Sequence, residues 1–476
     1  MRTKPFLWLL ALPIVFWQCQ SSSTSTKNTN KPEQQVVTQE MQSVQKIGSD
    51  TVVASVFYQD NQQYSYAVYL PKSLEKAKKI PVILGFDSHG RGRDVIEKYK
   101  SLANRFGYLL VVSNTSKNGL SGNEITNISF GLLNDVAKRF PIDSSRVYAI
   151  GHSGGARVAT GFAMQNKIIR AVVGCSAGLP MNPNQVPPYQ FHYLTLCGDV
   201  DMNRNELERQ QQILSHRNLE DFLIVFHGKH EWPNDSVMQY AFFLLRFNEM
   251  KDCLQPVDNK LITDFLSKLK PVLNSSSMGD KVQAYRMVIY FLSGLTDVKS
   301  YEAKWKALQQ SSAYAQWLKR KKTLEQEETA LMQKYSAELQ RHPVAWWQTT
   351  MQLFRKKIKM AEKQNDMERS AMLKRVVSYL SLASYSIVNQ LIQERHWQEA
   401  EYFDAIYQLI DPQNPDVYYF AAVIAVNSSF PQDTVWNRLK TAIRYGFSDK
   451  EKLLNNPAFS FLQQQSDFWE EIEKMK

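Results

Sequence analysis

Between Thr51 and Met250, short apolar runs alternate with helix-like segments, and few architectures accommodate that alternation. The strand candidates are TVVASVFY, YSYAVYL, IPVILGF, YLLVVSN, RVYAI, IIRAVVG, FHYLTLC and DFLIVF. The later runs are apolar almost without interruption, as in strands covered on both faces. Helix-like stretches lie between and after them: DVIEKYKSLANRF, ISFGLLNDVAKRF, GARVATGFAMQN, RNELERQQQILSH and SVMQYAFFLLRFNEM. The pattern predicts an α/β fold with a mainly parallel sheet, whose ligands bind at the carboxyl ends of the strands.

Past Lys251 the strand patterns vanish, and Gln, Lys, Leu and aromatic residues recur at helical spacing to the end of the chain. A length of 476 residues also asks for more than one domain. The expected division is an α/β domain over 49–250 and an all-α domain over 251–476. Within the latter, AEYFDAIYQLIDPQNPDVYYFAAVIA (Ala400 to Ala425) resembles the second helix of a tetratricopeptide unit, its turn and the start of the next. Tetratricopeptide-like units are expected near 395–476, and tandem units would offer a concave surface to a protein partner. A plain helical bundle that covers the α/β domain is the alternative. The run VVSYLSLASYSIVNQLI (Val376 to Ile392) carries enough polar residues to read as a buried helix, not a membrane span.

Composition narrows the chemistry. The 4 cysteines form no CxxC pair and no Cys/His cluster at zinc spacing, so neither a disulfide framework nor a metal is expected. The net charge of +11 is spread among Glu and Gln, as in WLKRKKTLEQEETALMQKY (Trp317 to Tyr335), and no nucleic-acid recognition motif accompanies it. A solvated helix face is the expected reading, with no nucleic-acid partner.

The N-terminus reads as an address. Arg2 and Lys4 precede the apolar PFLWLLALPIVFW, then Cys19 and a polar, Ser/Thr-rich stretch follow. This resembles a bacterial lipoprotein signal, with residues 1–19 as the signal, Cys19 as the lipidation site and 20–48 as a flexible tether. An ordinary secretory signal or an uncleaved anchor are the alternatives. The protein is expected outside the cytoplasm, membrane-anchored and facing the periplasm or the cell exterior.

The chemistry centres on VYAIGHSGGARVA (Val147 to Ala159). GHSGG fits G-x-S-x-G, the nucleophile elbow of α/β-hydrolases, and it sits between a strand and a helix as that motif requires. The serine occupies a strained turn there, and glycines stand where neighbouring backbone leaves no room for Cβ atoms. Ser153 is therefore the expected nucleophile, which needs a histidine base and an acid, in the order Ser, acid, His. Of 8 histidines, His89 and His152 precede the serine, His192 lies in a strand, His216 on a helix, and His342 and His396 fall far beyond the α/β region. His227 caps a strand, whereas His230 follows a GK turn on a loop at the sheet's carboxyl edge, so His230 is the expected base. For the acid, LTLCGDVDMN offers Asp199 and Asp201, and spacing from Gly198 favours Asp201. The oxyanion hole needs two N–H donors: Gly154, and Ser88 or His89 in DSHGRGR.

Together GFDSHGRG, SNTSKNG, GHSGGARVA and GKHEWP resemble the α/β-hydrolase branch that includes polyhydroxybutyrate depolymerase-like and feruloyl esterase-like proteins, over roughly Val53 to Asn248. The resemblance implies carboxylic ester hydrolysis, with the family's nucleophile on Ser153, its histidine on His230 and its oxyanion loop on Ser88 to Gly90. No cofactor is implied, and the substrate class is a small-molecule or polymeric ester. The other function classes are a serine peptidase, which shares the triad chemistry, and a non-catalytic lipoprotein scaffold on a retired hydrolase fold.

Overall fold

The computed structural model describes residues 47–189, 191–217 and 221–475. The signal segment, Cys19 and nearly all of the expected tether lie outside the described residues. All eight strand candidates form strands: β1 (Val52–Phe57), β2 (Ser65–Tyr69), β3 (Ile80–Phe86), β4 (Leu109–Ser113), β5 (Ile142–His152), β6 (Ile169–Cys175), β7 (His192–Gly198) and β8 (Phe222–Phe226). They build one sheet in the order β1-β2-β4-β3-β5-β6-β7-β8. β2 runs antiparallel to both of its neighbours, and the other pairs are parallel.

Five helices connect or follow the strands: α1 (Gly92–Phe106), α2 (Gly122–Arg139), α3 (Gly154–Gln165), α4 (Arg204–His216) and α5 (Asp235–Lys251). Their ends are locally encoded. Ser121 and Glu124 form a capping box at the start of α2, and α1 stops at Gly107 in the left-handed conformation. Because both faces of the sheet are covered, alternate residues of each central strand enter different cores. Ile83, Tyr148, Ile150, Val173 and Leu194 pack with α1 and α5, while Val82, Leu84, Ala149, Val172 and Tyr193 pack with α2 and α3. This order and these crossovers are those of an α/β-hydrolase fold.

Apolar packing on the α5 side continues past Met250. In α6 (Asn259–Leu273) and α7 (Met278–Leu292), Phe265, Met287, Val288 and Phe291 join the same core as Phe243 and Phe247 of α5. The Phe265 and Phe291 rings stack with centroids 5.2 Å apart. The remaining helices are α8 (Lys299–Gln309), α9 (Ser312–Glu338), α10 (Val344–Lys363), α11 (Met367–Gln393), α12 (Trp397–Ile410), α13 (Pro415–Asn427), α14 (Gln432–Arg444), α15 (Lys450–Leu454) and α16 (Ser466–Lys474). Trp347, Phe354, Met372, Val376 and Leu380 centre one helical core, and Phe420, Ile424, Trp436, Leu439 and Phe468 another. The Asp411–Asn414 turn separates α12 from α13, with Asn414 capping the new helix and Pro415 in its first turn. No described helix is long and apolar enough to cross a membrane.

Candidate active site

Ser153 stands between β5 and α3 with φ 54° and ψ −122°, a backbone conformation rare for a residue with a Cβ. Two glycines make this turn possible by close approach. A Cβ on Gly151 would strike the carbonyl of Gly155, and one on Gly155 would strike the carbonyl of Phe86 in β3. The Ser153 N–H donates to Cys175 O at 2.8 Å, which ties the turn to the end of β6. The serine hydroxyl is thereby lifted to the carboxyl edge of the sheet.

His230 and Asp201 come from the loops after the last two strands. His230 Nε2 lies 2.9 Å from Ser153 Oγ, and His230 Nδ1 lies 3.0 and 3.1 Å from the two Asp201 oxygens. Asp201 is wholly buried. Burial pushes its carboxyl up, but the hydrogen bond and charge of His230 and the Asn203 N–H outweigh it and hold the group below its ordinary value. Asp199 occupies a separate position. Its carboxylate meets His227 Nδ1 at 2.7 Å and accepts from Gly228 N at 3.1 Å, and Val200 N donates to Gly228 O. These contacts fasten the loop that carries Asp201 to the loop that carries His230. His227 is exposed, and the Asp199 hydrogen bond raises its pKa in spite of partial burial.

The loop after β3 departs from expectation at one donor. The His89 N–H donates to Asp87 Oδ1 at 2.9 Å, so it is not free to meet an oxyanion. The reason is Asp87, a fully buried carboxylate that accepts from several donors around it. Arg91 Nε donates at 3.1 Å and Trp232 Nε1 at 2.7 Å. Burial alone would raise Asp87, yet these hydrogen bonds and the Arg91 charge bring it down to about 2. Ser88 remains the candidate on this loop. The other expected donor is Gly154, the first residue of α3, whose N–H has no acceptor within its helix.

No protein-family model matches the chain, and neither does any curated protein. Among solved structures it is similar to an S-formylglutathione hydrolase from Staphylococcus aureus, at 15% identity over 42% of this chain and 98% of that one, with a TM-score of 0.36. A fluorophosphonate-binding serine hydrolase from the same organism, with substrate bound, gives 16%, 42%, 99% and 0.36. An esterase from Mycobacterium marinum gives 17%, 43%, 82% and 0.33.

Asp87, Trp232 and His152 were not singled out as site residues from the sequence. Trp232 follows His230 by two positions, and its bond to Asp87 pins the histidine loop against the loop after β3. The His152 ring lies 5.1 Å from His230 and 5.5 Å from Trp232, and neither of its nitrogens has a hydrogen-bond partner among the described residues. Burial and the neighbouring His230 lower its pKa to about 3, so His152 is a neutral ring packed behind the site. The spacing of GHSGG and HEW held a signal for these packing partners, but only if the two segments were known to meet.

Proposed function

We propose that this protein is an exported serine hydrolase that cleaves carboxylic esters. The observation that carries the reading is the unbroken hydrogen-bond chain from Asp201 through His230 to Ser153, set on the turn that exposes the serine. In the first half-reaction Ser153 Oγ attacks the ester carbonyl carbon while His230 Nε2 takes the hydroxyl proton. Asp201 holds Nδ1–H and stabilises the imidazolium that forms. The carbonyl oxygen gains negative charge beside the N–H groups of Gly154 and Ser88. When the intermediate collapses, the alcohol leaves with the proton from His230 and the acyl group stays on Ser153. Water then repeats the sequence and releases the acid. No metal or cofactor enters any of these steps.

The sequence before residue 47 supports export and a lipid anchor at Cys19, so the ester would be met outside the cytoplasm, as a small molecule or a polymer. The test is labelling of the purified protein with a fluorophosphonate, alongside hydrolysis of an activated p-nitrophenyl ester. Ser153→Ala should abolish both. Labelling or turnover that survives this substitution would remove the reading. A Cys19→Ala form should move from the membrane to the soluble exported fraction, and an unchanged distribution would remove the lipid anchor.

A further inference from the structure

We infer that Arg375, in the first half of α11, is a positioning residue for the loop that carries Asp201. The inference rests on the esterase reading of Ser153, His230 and Asp201. Arg375 and Glu328 of α9 are both buried. The arginine forks onto that carboxylate, with Nε at 2.8 Å from Oε1 and Nη2 at 2.6 Å from Oε2. The third nitrogen, Nη1, points away from α9 and donates to the Asp199 carbonyl oxygen at 2.5 Å. A rigid planar donor locked on one side by a bidentate bond presents its remaining N–H in one direction. Here that direction is the peptide two residues before Asp201.

The hydrolase domain itself secures the neighbouring polar groups of this loop. Asp199 N donates to Phe226 O at 2.7 Å, Asp201 N to Gly198 O at 3.2 Å, and Asn203 N to Asp201 Oδ1 at 2.9 Å. The Asp199 carbonyl is the group handed to the helical region. Swinging that peptide would carry the Asp201 carboxylate out of line with His230 Nδ1. The groups that face the histidine from other elements, His152 at the end of β5 and Asp87 with Trp232, do not touch Nδ1 and cannot replace the lost alignment. The helical region is thus part of the catalytic site's support, in addition to any binding surface it offers.

The test replaces the whole pair, Glu328→Met with Arg375→Met, because removing the arginine alone would leave a buried carboxylate unpaired. The variant should melt near the parent, keep its KM for a small activated ester, and lose roughly 10²-fold in kcat through misplacement of the acid. The downfield proton resonance of His230 Nδ1–H, bonded to a carboxylate, should move upfield or broaden. Glu328→Gln, which leaves Arg375 an oxygen to bond, should keep both kcat and the resonance. A folded double variant with parental kcat and resonance would overturn the inference. Should the double variant fail to fold, Arg375→Lys decides, since lysine cannot fork onto Glu328 and reach Asp199 at once. Unchanged turnover and resonance there would overturn it equally. A parent that lacks turnover but whose resonance responds to these substitutions would remove the esterase reading and leave the positioning role standing.

Discussion

Only Val200 separates Asp199 from Asp201, yet their surroundings assign them opposite tasks. Asp201 is buried with both oxygens on His230, whereas Asp199 is partly exposed and braces two loops. Asp201→Asn should keep the fold but favour the wrong histidine tautomer, lowering kcat by as much as about 10⁴-fold. Asp199→Asn should keep most of the turnover and cost about 1 kcal/mol in stability, read from thermal melting. Asp87 carries a pH signature. Its folded value near 2 lies below the ordinary aspartate value of 3.8, so its contribution is complete above 3.8 and fades as pH falls towards 2. At neutral pH the shift corresponds to about 2 kcal/mol. Asp87→Asn should therefore lower the urea midpoint at pH 7, and the gap to the parent should narrow below pH 4. At this scale the sequence was most readable where chemistry dictates residue type and order, as for Ser153, His230 and Asp201. It was silent on Asp87, because what fills that carboxylate, Trp232, lies 145 residues away.

At the scale of elements, the eight strands and the first five helices were legible because continuous apolar runs and amphipathic periods are local signals. The sequence pattern changes after Lys251, and the apolar packing of α5 continues across that point into α6 and α7. Phe265, Met287, Val288 and Phe291 are at most 1% exposed, and they complete the α5 side of the sheet core. Helical period says that α6 and α7 have an apolar face, and says nothing about which surface receives it. Each of these side chains contributes about 1.5–3 kcal/mol by burial. A fragment of residues 47–250 should therefore expose the matching surface of α5 and aggregate. A fragment of 47–309 should run as a monomer on size exclusion and bind little hydrophobic dye. A well-behaved 47–250 fragment would show that α6 and α7 are dispensable cover. The charged stretch of α9 is only in part the solvated face that its sequence suggests. Glu328 is buried against Arg375, and Lys321 Nζ reaches Glu208 Oε2 of α4 at 3.1 Å. A charge run in sequence does not show which of its members meet a partner from another element.

At the scale of the molecule, the helical region leans on the rim of the sheet where Ser153, Asp201 and His230 emerge. Arg375 reaches the loop that carries Asp201, Lys321 reaches α4 just beyond it, and Lys117, whose neighbour Asn118 sets its side chain against Gly154, lies 3.9 Å from Glu451 of α15. These contacts are unequal. The Lys117–Glu451 pair is exposed on both sides, and such pairs contribute about 0–1 kcal/mol, so it can be lost without consequence. The Arg375 contact is buried and hydrogen-bonded on every arm, so it should dominate the coupling between the two regions. It joins residues 176 positions apart, a separation at which no periodicity or motif could have announced it. The 47–309 fragment tests this ranking, since it keeps the sheet core, Ser153, His230 and Asp201 but lacks α9 and α11. Its labelling by fluorophosphonate should persist, because the serine turn is held by β3, β5 and β6 alone. Its kcat should fall by the same roughly 10²-fold as the Glu328→Met/Arg375→Met variant, with amide exchange rising in residues 199–203. A fragment with full kcat would reduce the helical region to a passenger on the hydrolase. A fragment far less active than the double variant would mean that other rim contacts, beyond Arg375, also hold the site together.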